Sequence, residues 1–241
     1  MRIYDDPKTL AAEFAKEIAA FINNAADQNR KVNIALSGGS TPKQVFETLV
    51  MYQKENRVKW TFAEFFWGDE RCVPADHPES NFGAANTLLF QQIIIPTQNL
   101  HPVCGQNIPE KEAERYASEI ECYTYNGAKS LPVFDWIILG IGTDGHTASL
   151  FPNSDLHFIS NNTCGVATHP QTGQQRISFT YDLINNAKRV SFLASGKDKA
   201  KVIHEIINKK PQSKNYPAAK IQPASCEAEW FIDKSAADLL D

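Results

Sequence analysis

A chain of 241 residues, 42% of them hydrophobic, is long enough to bury a full core, and its net charge of -4 provides no field that would gather nucleic acid or an anionic membrane surface. Five scattered cysteines (Cys72, Cys104, Cys122, Cys164, Cys226) never form a C-x-x-C pair, which speaks for separate reduced thiols and against a disulfide framework or a zinc site. No apolar run approaches the ~18 residues of a membrane span, and Met1-Arg2-Ile3-Tyr4-Asp5-Asp6-Pro7 lacks the basic and apolar regions of a signal peptide, so a cytoplasmic protein without nucleic-acid or membrane partners is expected.

Along the chain, strand-like and helix-like patterns alternate. Leu10, Phe14, Ile18 and Phe21/Ile22 recur at helical spacing and predict an amphipathic helix from about 8 to 26. Val32 to Leu36 reads as a buried strand closed by Ser37-Gly38-Gly39-Ser40-Thr41-Pro42. A second helix follows, with Thr41 as N-cap and Pro42 in its first turn. Phe65-Phe66-Trp67 is a short strand ending in Gly68-Asp69-Glu70-Arg71. Ser80 caps a helix through Leu88-Leu89-Phe90, and 109–125 is a further helix rich in Glu.

Phe134 to Leu139 is the most apolar strand, closed by Gly140-Ile141-Gly142-Thr143-Asp144-Gly145-His146-Thr147. Arg176 to Thr180 and Val190 to Ala194 read as strands, the latter followed by a helix carrying Val202, Ile203, Ile206 and Ile207. Glu229 to Ile232 is a last strand and Ala236 to Leu240 a last helix. Stretches 74–81 and 152–175, rich in Pro, Asn, His and Gly, read as loops over the sheet edge. This alternation predicts parallel β-α-β units with right-handed crossovers in a single domain over 1–241.

Ligands gather at the carboxyl ends of such strands, which is where both Gly-rich loops fall. In the first loop, glycines let a ligand approach the backbone, and the N–H groups opening the next helix point at it with the dipole behind them. A phosphate or carboxylate suits Gly38, Gly39, Ser40 and Thr41. A tight strand-to-helix turn with an ordinary cap accounts for the same residues equally well. The loop matches neither the Walker pattern nor G-x-G-x-x-G.

Three further groups complete the candidate site. Asp69, Glu70 and Arg71 place charge at the end of a core strand, where the arginine can steady an anion and a carboxylate can orient a water or an imidazole. His146 can carry a proton near neutrality, and Asp144 stands close enough in sequence to hold its tautomer or pair with its charged form. The other five histidines fit surface positions better, and this Asp/His spacing without further His or Cys is weak evidence for a metal. Arg176 and Lys199 open a strand and a helix; each alone reads as a solvated charge. No G-x-S-x-G elbow occurs.

Ala35-Leu36-Ser37-Gly38-Gly39-Ser40-Thr41-Pro42, Trp67-Gly68-Asp69-Glu70-Arg71, His77-Pro78-Glu79-Ser80-Asn81-Phe82 and Gly140 through Pro152 resemble, in order, the blocks of the 6-phosphogluconolactonase family. The likeness continues through Gly196-x-x-Lys199-Ala200 and Trp230-Phe231-Ile232-Asp233 and covers nearly the whole chain. It implies a Rossmann-like three-layer α/β/α fold with a mainly parallel sheet, related to the glucosamine-6-phosphate deaminases. It also implies hydrolysis of 6-phospho-D-glucono-1,5-lactone, the second step of the oxidative pentose phosphate pathway.

By that resemblance His146 is the general base on water and Asp144 orients it, while Asp69 and Arg71 belong to the catalytic set. Arg176 and Lys199 join Gly38, Gly39, Ser40 and Thr41 around the 6-phosphate. No metal or organic cofactor is implied, the partner is the small phosphosugar lactone, and a monomer or weak homo-oligomer is expected. The deaminases share the first loop and the Asp-Gly-His block, but they carry Asp-Glu-Tyr in place of Asp69-Glu70-Arg71 and a glutamate where this chain has Phe151. A phenyl ring cannot relay a proton, which favours the lactonase. A phosphosugar deaminase or isomerase is the alternative, and a non-catalytic phosphosugar sensor a further one; the sensor would be preceded by a DNA-binding segment, whereas here the α/β pattern starts almost at Met1.

Overall fold

The structure, a computed structural model, describes residues 1–55, 58–124, 131–153 and 163–240. Its elements in chain order are β1 (Arg2–Tyr4), α1 (Pro7–Asp27), β2 (Val32–Leu36), α2 (Ser40–Lys54), β3 (Ala63–Trp67), β4 (Asp69–Arg71), α3 (Asn81–Leu88), β5 (Leu100–His101), α4 (Pro109–Thr124), β6 (Trp136–Leu139), β7 (Cys164–Thr168), β8 (Gln175–Phe179), α5 (Tyr181–Asn185), β9 (Val190–Ala194), α6 (Ala200–Ile207) and β10 (Glu229–Asp233). Seven strands form a parallel sheet in the order β1-β10-β9-β6-β2-β3-β5. Among the described residues no helix is long and apolar enough to cross a membrane.

Because successive strand residues face opposite sides, each central strand feeds two cores. Ile34, Leu36, Phe65, Trp67, Trp136 and Ile138 pack against α1, α2 and α3 on one face. Ala35, Phe66, Ile137, Leu139 and Phe192 pack against α4, α5 and α6 on the other. The three-layer α/β/α expectation is met. Chain order reverses between β2 and β6, since β3 lies on one side of β2 while β6, β9 and β10 run off the other. A crevice opens beyond the carboxyl ends of the strands at such a switch point.

Five local expectations are corrected. Asp69 to Arg71, expected at the end of the core strand, form a strand of their own, β4, in a second, antiparallel sheet ordered β4-β8-β7. Gly68 is the pivot: its N–H still donates to Leu36 O of the large sheet at 2.9 Å, while its carbonyl accepts from Phe179 N–H at 2.8 Å. Arg176 to Phe179 accordingly runs antiparallel rather than as another parallel strand, and the stretch read as a loop over 152–175 contains β7. The middle of that stretch, 154–162, lies outside the described residues.

The N-cap of α2 is Gly39 rather than Thr41, and it makes no side-chain cap bond. Thr41 turns its hydroxyl to Ser195 Oγ instead, at 3.1 Å. Residues 234–239 form turns, not a helix; at their start the buried Asp233 carboxylate takes the N–H of Ala236 (3.0 Å), the hydroxyl of Ser235 (2.5 Å) and the N–H of Gly196 (3.0 Å). The short edge strands β1 and β5 have no counterpart among the elements expected from the sequence. Asp6 and Ser80 cap α1 and α3, accepting from Thr9 N–H (2.8 Å) and Gly83 N–H (2.9 Å).

Candidate active site

At the switch point the loops after β2 and β6 face each other across a cleft of about 230 Å³. Gly38, Gly39, Ser40 and Thr41 line it from one side and Gly140, Gly142 and His146 from another. The small sheet contributes Asp69, Arg71 and Arg176, and the turn after β9 contributes Ser195 and Lys199. Nine of the eleven residues singled out in the sequence therefore meet in one place, Glu70 and Asp144 being off the wall. Asp144 stands against His146 instead.

Asp144 holds His146 at two points. The ring Nδ1–H donates to Asp144 Oδ1 at 2.6 Å, and the His146 backbone N–H donates to the same oxygen at 3.2 Å. The bond from His146 pulls the Asp144 carboxyl down to about 2 despite partial burial, so it is ionised at neutral pH. With Nδ1 committed as a donor, Nε2 is left as the basic nitrogen. The loop is drawn tight by Gly142 N–H to His146 O (2.9 Å) and by Thr147 Oγ1 donating to Gly140 O (2.8 Å). A Cβ at Gly142 would overlap both His146 and Asp144.

Phe151 explains how the imidazole is backed. It is buried, with its ring 5.2 Å from that of His146 and 5.0 Å from that of His169, and the Arg176 guanidinium lies 5.7 Å from its centroid. An apolar, non-titrating surface thus backs the imidazole.

The cationic wall comes from register. Arg71 on β4 pairs directly with Arg176 on β8, which puts two guanidinium groups side by side. Like charges so placed repel by ordinary electrostatics. Burial, then the neighbouring Arg71, holds Arg176 below its usual pKa. Arg71 Nη1 donates to Glu79 O at 2.5 Å and Arg176 Nη2 to Gln174 Oε1 at 3.2 Å, yet the Nε of each is buried without a partner among the described residues. An anion in the cleft would offset both costs. Lys199 reaches the same space while paired to Asp198 Oδ2 at 3.1 Å.

The acidic pair of the Asp69-Glu70-Arg71 cluster divides its work. Asp69 is buried and accepts from Ser149 Oγ at 2.7 Å, fixing the chain two residues beyond Thr147. Glu70 points away from the cleft and accepts from Arg71 N–H (2.8 Å), Ser80 Oγ (3.0 Å), Asn81 N–H (2.8 Å) and Phe82 N–H (2.7 Å). Burial raises its pKa in spite of these four donors.

Asn81 and Ser195 are cleft residues that sequence reasoning did not assign. Asn81 Nδ2 donates to Asp69 O at 3.0 Å, and its amide fills the space a Cβ at Gly38 would take. The Ser80-Asn81 pair beside a helix start was the available signal. Among the described residues no three His, Cys, Asp or Glu side chains cluster as a metal site would.

Comparison with known proteins agrees with this geometry. Residues 5–230 match the family described as glucosamine-6-phosphate isomerases/6-phosphogluconolactonase. The chain is 45% identical over 212 residues to a 6-phosphogluconolactonase of Haemophilus influenzae, covering 88% of this chain and 89% of that protein. It superposes on the crystal structure of a devB protein with a TM-score of 0.92 at 41% identity, over 100% of this chain and 98% of the other. A monomeric glucosamine-6-phosphate deaminase superposes with a TM-score of 0.82 over 99% of this chain and all of its own, at 21% identity, a likeness of fold alone. The chain belongs to the glucosamine-6-phosphate isomerase/6-phosphogluconolactonase family.

Proposed function

We propose that this protein hydrolyses 6-phospho-D-glucono-1,5-lactone to 6-phospho-D-gluconate, the second step of the oxidative pentose phosphate pathway, with His146 as general base. The observation that carries this reading is the Asp144–His146 pair held across one cleft from two register-paired arginines and an uncapped helix start. A proton carrier facing an anion clamp is what a small phosphorylated ester requires.

His146 Nε2 takes a proton from water as the water oxygen bonds to the lactone carbonyl carbon. The tetrahedral oxyanion is met by N–H groups of the Gly-rich loops and by Arg71. Collapse breaks the bond to the ring oxygen, and His146 returns the proton there. Asp144 stabilises the imidazolium meanwhile. Arg176 and Lys199, with the N–H groups of Gly38, Gly39, Ser40 and Thr41, hold the 6-phosphate; α2 makes no side-chain cap bond, so those donors are left for an anion. Asp69 steadies the far end of the His146 loop through Ser149 and keeps its place on the cleft wall.

The buried phenyl ring of Phe151 supports hydrolysis over deamination, since that position offers no proton relay. All five cysteines are free, which suits a reducing cytoplasm. The pairing of the first strand, β1, with the last, β10, supports a single domain over the chain.

The test is hydrolysis of lactone generated in situ, measured against its spontaneous opening. Wild-type protein should exceed the spontaneous rate, and His146→Ala should lower kcat by about 10²–10⁴-fold. Near wild-type kcat in the variant removes His146 as the base. Release of ammonia from glucosamine 6-phosphate would redirect the assignment to the deaminase.

A further inference from the structure

The loop carrying His146 leans on a segment about 70 residues away in sequence, and that segment is tied to the cationic side of the cleft. The Ala218 N–H donates to the Gly145 carbonyl at 3.0 Å. The Tyr216 ring lies so close that a Cβ at Gly145 would overlap it, and Gly145 itself sits at φ +82°, where only glycine is at ease. Tyr216 is fixed in turn. Its N–H donates to Ser213 O at 2.9 Å and its hydroxyl to Glu205 Oε2 at 2.5 Å.

Glu205 is only 9% exposed and lies on α6, which begins at Ala200 directly after Lys199. A helix of this length moves as a rigid body, so the Tyr216–Glu205 bond couples the His146 loop to the turn that presents Lys199. The bond from Glu205 pushes the Tyr216 hydroxyl up to about 12, which keeps it a donor through the neutral range.

We propose that Tyr216 is a positioning residue that, through its hydroxyl bond to Glu205, sets the distance between His146 and Lys199 and so matches the cleft to a substrate held at both ends. The inference rests on the reading of the cleft as a phosphosugar lactone site. A lactone anchored by its phosphate has its carbonyl placed for it. A small shift of the loop against α6 then misplaces the base, and misplacement of about 1 Å can cost up to ~10²-fold in rate. A lactone without the phosphate is not anchored at the Lys199 end and settles over His146 independently.

Tyr216→Phe keeps the ring against Gly145 and removes only the O–H. It should lower kcat for 6-phosphogluconolactone about tenfold, while kcat/KM for unphosphorylated glucono-1,5-lactone stays within about twofold of wild type. Glu205→Gln retains an amide oxygen as acceptor and should keep wild-type kcat on both. Equal loss on the two lactones, or loss on neither, overturns the proposal. If wild-type protein opens neither lactone faster than the spontaneous rate, the activity reading fails separately. The positional claim is then read from the His146 imidazole resonances in inorganic phosphate: Tyr216→Phe must shift or broaden them, and an unchanged spectrum overturns it.

Discussion

At the scale of single residues, the site depends on where side chains are missing as much as on where they are present. Gly142 leaves room for the Asp144–His146 pair, and a methyl group there would have to displace one or both. Neither partner can yield cheaply. Asp144 is held by two bonds to His146, and the His146 ring is backed by the buried Phe151. Gly142→Ala should therefore lower kcat by about 10²-fold, while Tm moves by no more than a few degrees, since the loop lies at the surface of the cleft. Steady-state kinetics beside a thermal melt checks this, and wild-type kcat in the variant would show that the pair relaxes freely. Much of this chemistry was legible in the sequence, because Asp144, Gly145 and His146 are neighbours in the chain. The pairing of Arg71 with Arg176 was not. It follows from an antiparallel register between segments a hundred residues apart, which no local pattern records.

At the scale of elements, Glu70 organises the segment that closes the cleft on the side of α3. Its two oxygens accept four donors, two each, and these pin Ser80, Asn81 and Phe82 at the start of α3. Asn81 then reaches Asp69 O and fills the space beside Gly38. Glu70→Gln replaces one accepting oxygen with a donor facing other donors, and a buried polar group left unpaired costs about 1–3 kcal/mol. At about 2–4 °C per kcal/mol for a chain of this size, the melt should fall by roughly 2–12 °C. A Tm within about 1 °C of wild type would mean that the segment does not depend on this carboxylate. The elements themselves were read from the sequence in proportion to their apolar run. The central strands β2, β3, β6 and β9 are buried on both faces and advertise themselves as short, mainly apolar runs. β4 is charged, β7 carries Gly165 and half-buried positions, and β1 and β5 span three and two residues, so none has a periodicity to detect. Thr41 reads as an N-cap by type, and only the nearness of Ser195 in space draws its hydroxyl away.

At the scale of the whole molecule, the edge of the large sheet is closed by a charge network far from the Gly-rich loops. His101 on β5 is 2% exposed, stacks on Phe66 at 4.3 Å, and has the Tyr123 ring 4.1 Å away. Its Nε2 bonds Glu64 at 3.0 Å and its Nδ1 bonds Glu119 at 2.9 Å. Lys31 pairs with Glu64, and Arg115 with Glu112 and Glu119, so strands β3 and β5 are tied to α4. Burial disfavours the imidazolium, but the bonds to Glu119 and Glu64 outweigh it and raise the His101 pKa. Burial likewise disfavours both carboxylates, and their cationic partners, His101 first, bring them below the usual range. The signs then follow from linkage. A raised histidine contributes its full stability below about 6.5, the unfolded value, and loses it as pH climbs through the folded one. Lowered carboxylates contribute above about 4.3 and lose it in more acid solution. The network should accordingly be strongest between about pH 4.5 and 6.5. His101→Gln keeps a polar side chain but removes the charge, leaving Glu64 and Glu119 to face burial without it. The Tm gap between wild type and variant should be widest near pH 5.5–6.5 and shrink by about half or more toward pH 9, since neutral His101 has no charge and a single N–H to offer the two carboxylates. A gap that stayed constant from pH 5.5 to 9 would mean that the His101 pKa is the same in the folded and unfolded chain, and that its ring stacking on Phe66 and Tyr123, rather than its charge, holds the sheet edge to α4.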